Sequence, residues 1–123
     1  MTGFSDLVGF TLTAVRNVND EELIFETNQG VTFRLYHDQT CCETVAVESI
    51  TGDLGDLIGT PILMAEVAES CDDPPGYAHK YQPESQTWTF YKLRTIRGSV
   101  DIRWHGTSNG YYSESVSFCR DDP

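Results

Sequence analysis

The chain has no apolar run approaching the roughly twenty residues that a membrane helix needs. It does not open with a leader made of charged, apolar and small-residue segments. Together these absences make the cytoplasm the expected location. Basic side chains are also scarce: eight lysines and arginines stand against nineteen aspartates and glutamates, a formal net charge of −11. Such a chain repels bare nucleic acid at long range, so direct nucleic-acid binding is not expected. Histidine is limited to His37, His79 and His105, and none stands in a nucleophile-elbow or cysteine-protease context. P-loop, dinucleotide-fingerprint and zinc-protease motifs are missing, as are internal repeats, low-complexity tracts and any sustained helical period. No C-x-x-C pair occurs. The cysteines, Cys41, Cys42, Cys71 and Cys119, are therefore expected as reduced thiols, because closing Cys41 onto its neighbour Cys42 strains the peptide between them.

The charge is distributed unevenly. Residues 1–70 hold twelve acidic side chains against Arg16 and Arg34, whereas residues 71–123 hold seven acidic and six basic ones. The first region therefore favours basic partners.

What the chain does contain is a succession of extended segments. Leu7–Val18, Glu22–Thr27, Val31–Tyr36, Thr44–Ile50, Ile62–Val67 and Tyr111–Cys119 read as strands. Asn19-Asp20 and Asn28-Gln29-Gly30 serve as turns, and a short helical turn at 53–58 has Asp53 as its cap. With two more strands between Thr87 and His105, the expected fold is all-β: a mainly antiparallel sandwich or open curved barrel of seven to eight strands. Residues 1–123 make one domain, large enough to bury a core. They are interrupted by an irregular loop at 71–86 whose prolines and tyrosines suit a partly ordered lid.

The segment Thr87–His105 carries four of the eight basic residues, Lys92, Arg94, Arg97 and Arg103. Placing Arg97-Gly98 at the centre of a two-residue turn pairs Arg94 with Asp101, Lys92 with Arg103 and Phe90 with His105. Tyr91, Leu93, Thr95, Val100, Ile102 and Trp104 then form a buried face, and Phe90, Lys92, Arg94, Asp101, Arg103 and His105 the opposite one. Lys92 directly opposite Arg103 is unfavourable unless an anion or a carboxylate lies between them. Such a face can hold a phosphate on Arg94 and Arg103 and stack a ring on Phe90 or Trp88. The alternative is an ordinary solvated sheet face. The following turn adds Ser108, Asn109 and Tyr112 to the candidate ligand-binding residues if it curls toward that face.

His37-Asp38-Gln39-Thr40-Cys41-Cys42-Glu43 is a second dense cluster. Its His37, Cys41, Cys42 and Glu43 are the chain's weak metal candidates, because histidine, thiolate and carboxylate are zinc ligands. Adjacent cysteines on an extended strand point to opposite faces, however, and small buried thiols beside an edge carboxylate are the simpler interpretation. No cofactor is expected.

The H-D-x-x-C-C-E run at 37–43, the G-D-L-x-D-L-I-G run at 52–59, T-W-T-F-Y-K-L at 87–93 and S-N-G-Y-Y-S at 108–113 resemble a family of small uncharacterised domains of bacteria and their phages. The resemblance implies a phage or bacterial setting and transfers no catalytic residue. In that setting the expected function is non-enzymatic: an inhibitor or sequestering protein whose aromatic and basic sheet face binds a phosphorylated small molecule or nucleotide signal. One alternative is an acidic mimic of nucleic acid that blocks a basic groove on a host defence protein. A second is a small metal- or thiol-dependent enzyme using His37, Cys41 and Cys42. Uncovered strand edges also allow a homo-oligomer.

Overall fold

The computed structural model describes residues 3–79 and 83–123. Eight strands form two four-stranded antiparallel sheets: β1 (Leu12–Val18), β2 (Glu22–Thr27), β3 (Thr32–Tyr36), β4 (Thr44–Thr51), β5 (Met64–Ser70), β6 (Ser85–Thr95), β7 (Gly98–Ser108) and β8 (Ser117–Asp121). One sheet has the order β1-β2-β3-β8 and the other β4-β7-β6-β5. This is a sandwich rather than a closed barrel.

Side-chain alternation drives the packing. In β2 and β3 every second residue is buried, bringing Leu23, Phe25, Phe33 and Leu35 onto the inner face. The other sheet answers with Tyr91, Leu93, Val100, Ile102 and Trp104, all of which belong to the same core. Burying each such side chain contributes about 1.5–3 kcal/mol. Phe4, on a 3-10 turn at Phe4–Leu7, closes the gap between the sheets and packs against Tyr91 and Phe118 at 4.7 and 5.5 Å between ring centroids.

The expected helical turn is a 3-10 turn at Leu54–Leu57, and the Asp53 carboxylate accepts the Gly55 N–H at 2.8 Å. Elsewhere the strand bounds move. Leu7 belongs to the first 3-10 turn, not to β1, because Gly9 N–H donates to Ile62 O and Phe10 N–H to Leu7 O, turning the chain before it extends. The last strand starts at Ser117, six residues later than expected from Tyr111. Residues 109–116 instead form a loop whose Glu114 is tied to the strands at Thr87 and Ser108.

The β6–β7 hairpin corrects the expected register. Its turn centres on Ile96-Arg97, so Thr95 pairs with Gly98, Lys92 with Asp101, Phe90 with Arg103 and Trp88 with His105. Every partner moves by two positions, an even step, so the two faces keep their residues. Gly98 has no positive φ, and the atom nearest to a Cβ placed there is the end of the Asp56 side chain, Oδ2 at 2.8 Å. Lys92 therefore faces Asp101 on one side and Glu66 on the other. The expected clash between Lys92 and Arg103 does not arise.

Candidate functional site at the loop end

Strand order and register bring the 19–21 turn, the loops 37–43 and 109–116, and the described residues 71–79 and 83–84 of the loop between β5 and β6 to one end of the sandwich. Each of the three longer loops closes on a carboxylate. In the first, Glu43 is buried at 3% exposure. It accepts the Cys41 N–H at 2.8 Å, the Thr40 N–H at 3.0 Å and His37 Nε2–H at 2.8 Å. Burial pushes the Glu43 carboxyl up, but the Cys41 N–H, His37 and the Thr40 N–H outweigh it and hold the group down at about 2. His37 Nδ1 lies 2.8 Å from Ser115 O, tying this loop to 109–116. Both ring nitrogens thus lie within hydrogen-bond distance of an oxygen, one in each loop.

The four metal candidates are thus engaged with one another. His37 and Glu43 share a hydrogen bond, and Cys41 and Cys42 are joined as a disulfide of adjacent residues. That pairing corrects the expectation of four reduced thiols; Cys71 and Cys119 are free. Among the described residues no three histidine, cysteine or acidic side chains are grouped to hold a metal ion.

The second loop closes on Asp73, whose Oδ1 accepts His79 Nε2–H at 2.8 Å, Gln86 Nε2–H at 2.9 Å and Trp88 Nε1–H at 3.2 Å. His79, then Gln86 and Trp88, hold this carboxyl below its ordinary range against the opposing effect of burial. Tyr77 and His79 lie over the outward face of the sheet. Tyr77 meets the Trp88 ring edge-on at 4.8 Å, and Trp88 stacks on His105 at 4.0 Å. Trp88 points away from the core and is nevertheless fully buried, so a small satellite cluster sits under the loop. Burial and the nearby His79 push the His105 imidazole below its ordinary pKa. The Arg103 guanidinium lies 5.2 Å from the Trp88 ring and is bonded to Glu48, which raises the one pKa and lowers the other.

In the third loop, Glu114 accepts Thr87 Oγ1–H at 2.9 Å and Ser108 Oγ–H at 2.6 Å. Gly106 permits this: a Cβ there would stand 2.7 Å from Glu114 O and 2.9 Å from Glu114 Cβ.

Between these loops opens a cleft of about 300 Å³ lined by Cys42, Pro83, Glu84, Thr107, Ser108, Asn109 and Tyr112. The eight candidate ligand residues divide among four places. Ser108, Asn109 and Tyr112 line the cleft. Arg103 and His105 belong to the cluster beneath Tyr77 and His79. Phe90 and Lys92 border a shallow groove of about 150 Å³ with Glu66, Val67 and Ala68, and Arg94 is exposed farther along β6. A further hollow of about 330 Å³ lies beside His37 and Glu43, lined also by Glu21, Gln39 and Thr44; the His37 and Glu43 polar atoms are committed to each other there. Asp73, Tyr77, Gln86 and Glu114 were not among the candidates. Most of their partners, such as Thr87 for Glu114, Trp88 for Tyr77 and Asp73 for Gln86, lie on other segments.

Fold and site together define an all-β sandwich whose loops, tied down by buried or bonded carboxylates, meet at one end beside a cleft. The chain belongs to the family described as a domain of unknown function (DUF7448), which matches residues 5–118. No curated protein and no solved structure matches it.

Proposed function

We propose that this domain is a non-enzymatic binding module that takes a small, uncharged, polyhydroxylated ligand such as a monosaccharide into the cleft at the loop end. The lining of that cleft carries the proposal. Hydroxyls from Thr107 and Tyr112, the Asn109 amide and the Glu84 carboxylate offer donors and acceptors in a cleft that the Tyr112 ring also lines. That combination suits sugar hydroxyls above and C–H groups against Tyr112. No lysine, arginine or histidine is among the described lining residues, and Glu84 disfavours an anion. The wall is also held firmly. Ser108 Oγ donates to Glu114 and accepts the Gly110 N–H at 2.9 Å, and Asn109 Oδ1 accepts the Tyr111 N–H at 3.0 Å, leaving the amide nitrogen to donate to ligand.

The sheet face supports a phosphorylated ligand less well. Arg103 is paired with Glu48, Lys92 lies between Glu66 and Asp101, and Trp88 is covered. Binding without chemistry fits a protein that sequesters its ligand or inhibits a partner.

Amide chemical-shift mapping with a panel of monosaccharides and, in parallel, nucleotides tests the assignment. Sugars are expected to shift residues 107–112, and Tyr112→Ala and Asn109→Ala are each expected to weaken binding about tenfold, the effect of losing roughly 1.4 kcal/mol. Binding of nucleotides alone, abolished by Arg94→Ala, would overturn the proposal in favour of the sheet face.

A further inference from the structure

We infer that the Cys41–Cys42 disulfide is a redox site that sets the binding state of the cleft: the closed pair holds the wall ready for ligand, and reduction by a dithiol releases it. This role depends on the cleft being the sugar site just proposed. Cys42 is one of the cleft's lining residues. Both cysteines of the pair are exposed, so a reductant reaches them.

The closed pair imposes a backbone that the strand pattern does not. From Glu43 into β4 the side chains alternate, with Glu43, Val45 and Val47 buried and Thr44 exposed. Continued backward, that alternation would send Cys41 to the side of Glu43 and Cys42 to the side of Thr44. A bond between the two sulfurs requires both on one side, and residues 41–42 form a bend, with β4 starting only at Thr44. Reduction removes that requirement. The bend is also tied to the rest of the loop end. Cys41 O accepts from Gln39 Nε2–H at 3.2 Å, the Cys41 N–H is given to Glu43, and Glu43 reaches the 109–116 loop through His37 and Ser115 O. That loop carries the cleft residues Asn109 and Tyr112. Opening the pair therefore loosens the wall, and a wall that must be ordered on binding takes ligand more weakly than one already held.

The exchange balances with a dithiol as the reductant. One of its thiolates attacks the Cys42 sulfur, the bond between the protein sulfurs breaks, and the Cys41 sulfur leaves with the electron pair and takes up a proton. The second thiolate then attacks the reductant's own sulfur in the mixed disulfide, and Cys42 leaves and is protonated in turn. The dithiol departs as a disulfide, and the protein has gained an electron pair and, on each sulfur, a proton that the dithiol gave up.

The test uses the full chain, dithiothreitol, and a panel of glucose, galactose and mannose. Iodoacetamide labelling read by mass spectrometry is expected to modify exposed Cys71 in the untreated protein, and Cys41 and Cys42 only after dithiothreitol. Reduction is expected to shift amides 39–43 and 107–112 without ligand. It is also expected to weaken sugar binding about tenfold, as when the competent wall is populated about a tenth of the time. Cys41→Ser/Cys42→Ser is expected to bind as the reduced chain does and to ignore the reductant, while Cys71→Ser/Cys119→Ser keeps the full response. Labelling of Cys41 and Cys42 before reduction, unmoved amides 107–112, or a response that survives Cys41→Ser/Cys42→Ser would each overturn the inference. Equal, measurable sugar affinity in both states would overturn it too and leave the cleft as the sugar site. Sugar binding by neither state, with amides 107–112 still moved by reduction, would overturn the sugar site while upholding the redox-driven change of its wall.

Discussion

At the end of the sandwich that carries the turns 28–31, 52–59 and 96–97, local bonds close each turn, and two longer ones, Thr95 Oγ1–H to Asp56 O and Arg97 Nη1–H to Ile58 O, tie the 96–97 turn to the 52–59 turn. At the opposite end, loops are closed by carboxylates that collect several donors apiece. Thr27 Oγ1–H reaches Val31 O, Asp53 takes the Gly55 N–H, and Thr95 Oγ1 takes the Arg97 N–H, all within four positions. Asp73 and Glu114 instead bind donors 13 to 27 positions away as well as nearer ones. A short turn needs only one local bond because little chain is fixed. The longest loop, which joins β5 to β6, must offset a larger ordering entropy, and an ionised acceptor with three donors, Asp73, does this better than neutral bonds do. The loop end is therefore where polar side chains are concentrated and where a cleft can exist.

The sharpest way to break this contrast is to substitute one residue at each end. Gly106→Ala forces a methyl group against Glu114 and Val45 Cγ2, the latter 3.1 Å away. It is expected to cost about 1–3 kcal/mol as overpacking and to displace Ser108 with its carboxylate partner, so urea unfolding and ligand titration should both report it. Asp53→Ala at the turn end removes a single cap and is expected to cost about 1 kcal/mol while leaving the cleft unchanged. Equal loss of ligand affinity in both variants would show that the two ends are not independent.

A pH series sharpens the same contrast. Glu43 sits at about 2 in the folded chain against an ordinary value of 4.5, so the unfolded chain takes up its proton first as pH falls. Its contribution is complete above about 4.5 and drains away toward about 2. Glu48 and Asp73 are also held down, so their contributions are lost with the same sign. Urea midpoints across this range are expected to fall with pH in the parent, and Glu43→Gln is expected to lower the midpoint at neutral pH and flatten the slope. An unchanged slope would mean that the Glu43 bonds do not hold the loop.

This difference between the ends also explains what could be read from the sequence. Strands β2 and β3, the Asp53 cap and both hairpin faces follow from side-chain period and turn residues, which are local. Even the misplaced β6–β7 turn kept the buried set of Tyr91, Leu93, Val100, Ile102 and Trp104, because an even shift in register preserves the face. Glu43 stood out for the same reason: its donors His37, Thr40 and Cys41 are packed into seven residues. Its role as a hydrogen-bond hub in place of a metal ligand was not legible, since that depends on which atoms turn inward. Asp73, in a proline-flanked run, and Glu114, among serines, carry no local signal at all. The eight candidate ligand residues were dispersed because outward side chains found other partners, Arg103 with Glu48 across the sheet and His105 with Trp88, which Asp73 holds from the loop above.

The smallest expected effect concerns the Asp73 closure itself. Asp73→Ala removes the shared acceptor of His79, Gln86 and Trp88, yet the side chain is already about one-third exposed, so thermal stability should change little. Trp88 is the sensitive reporter, because it is fully buried only through the loop above it, whereas Trp104 lies in the core and responds to global unfolding. Acrylamide quenching of tryptophan fluorescence is expected to rise about twofold in the variant, the signature of a local opening with the global fold intact. If quenching stays at the parent level, Tyr77 and His79 hold the loop by aromatic packing alone, and the carboxylate rule of the loop end would apply to Glu43 and Glu114 but not to Asp73.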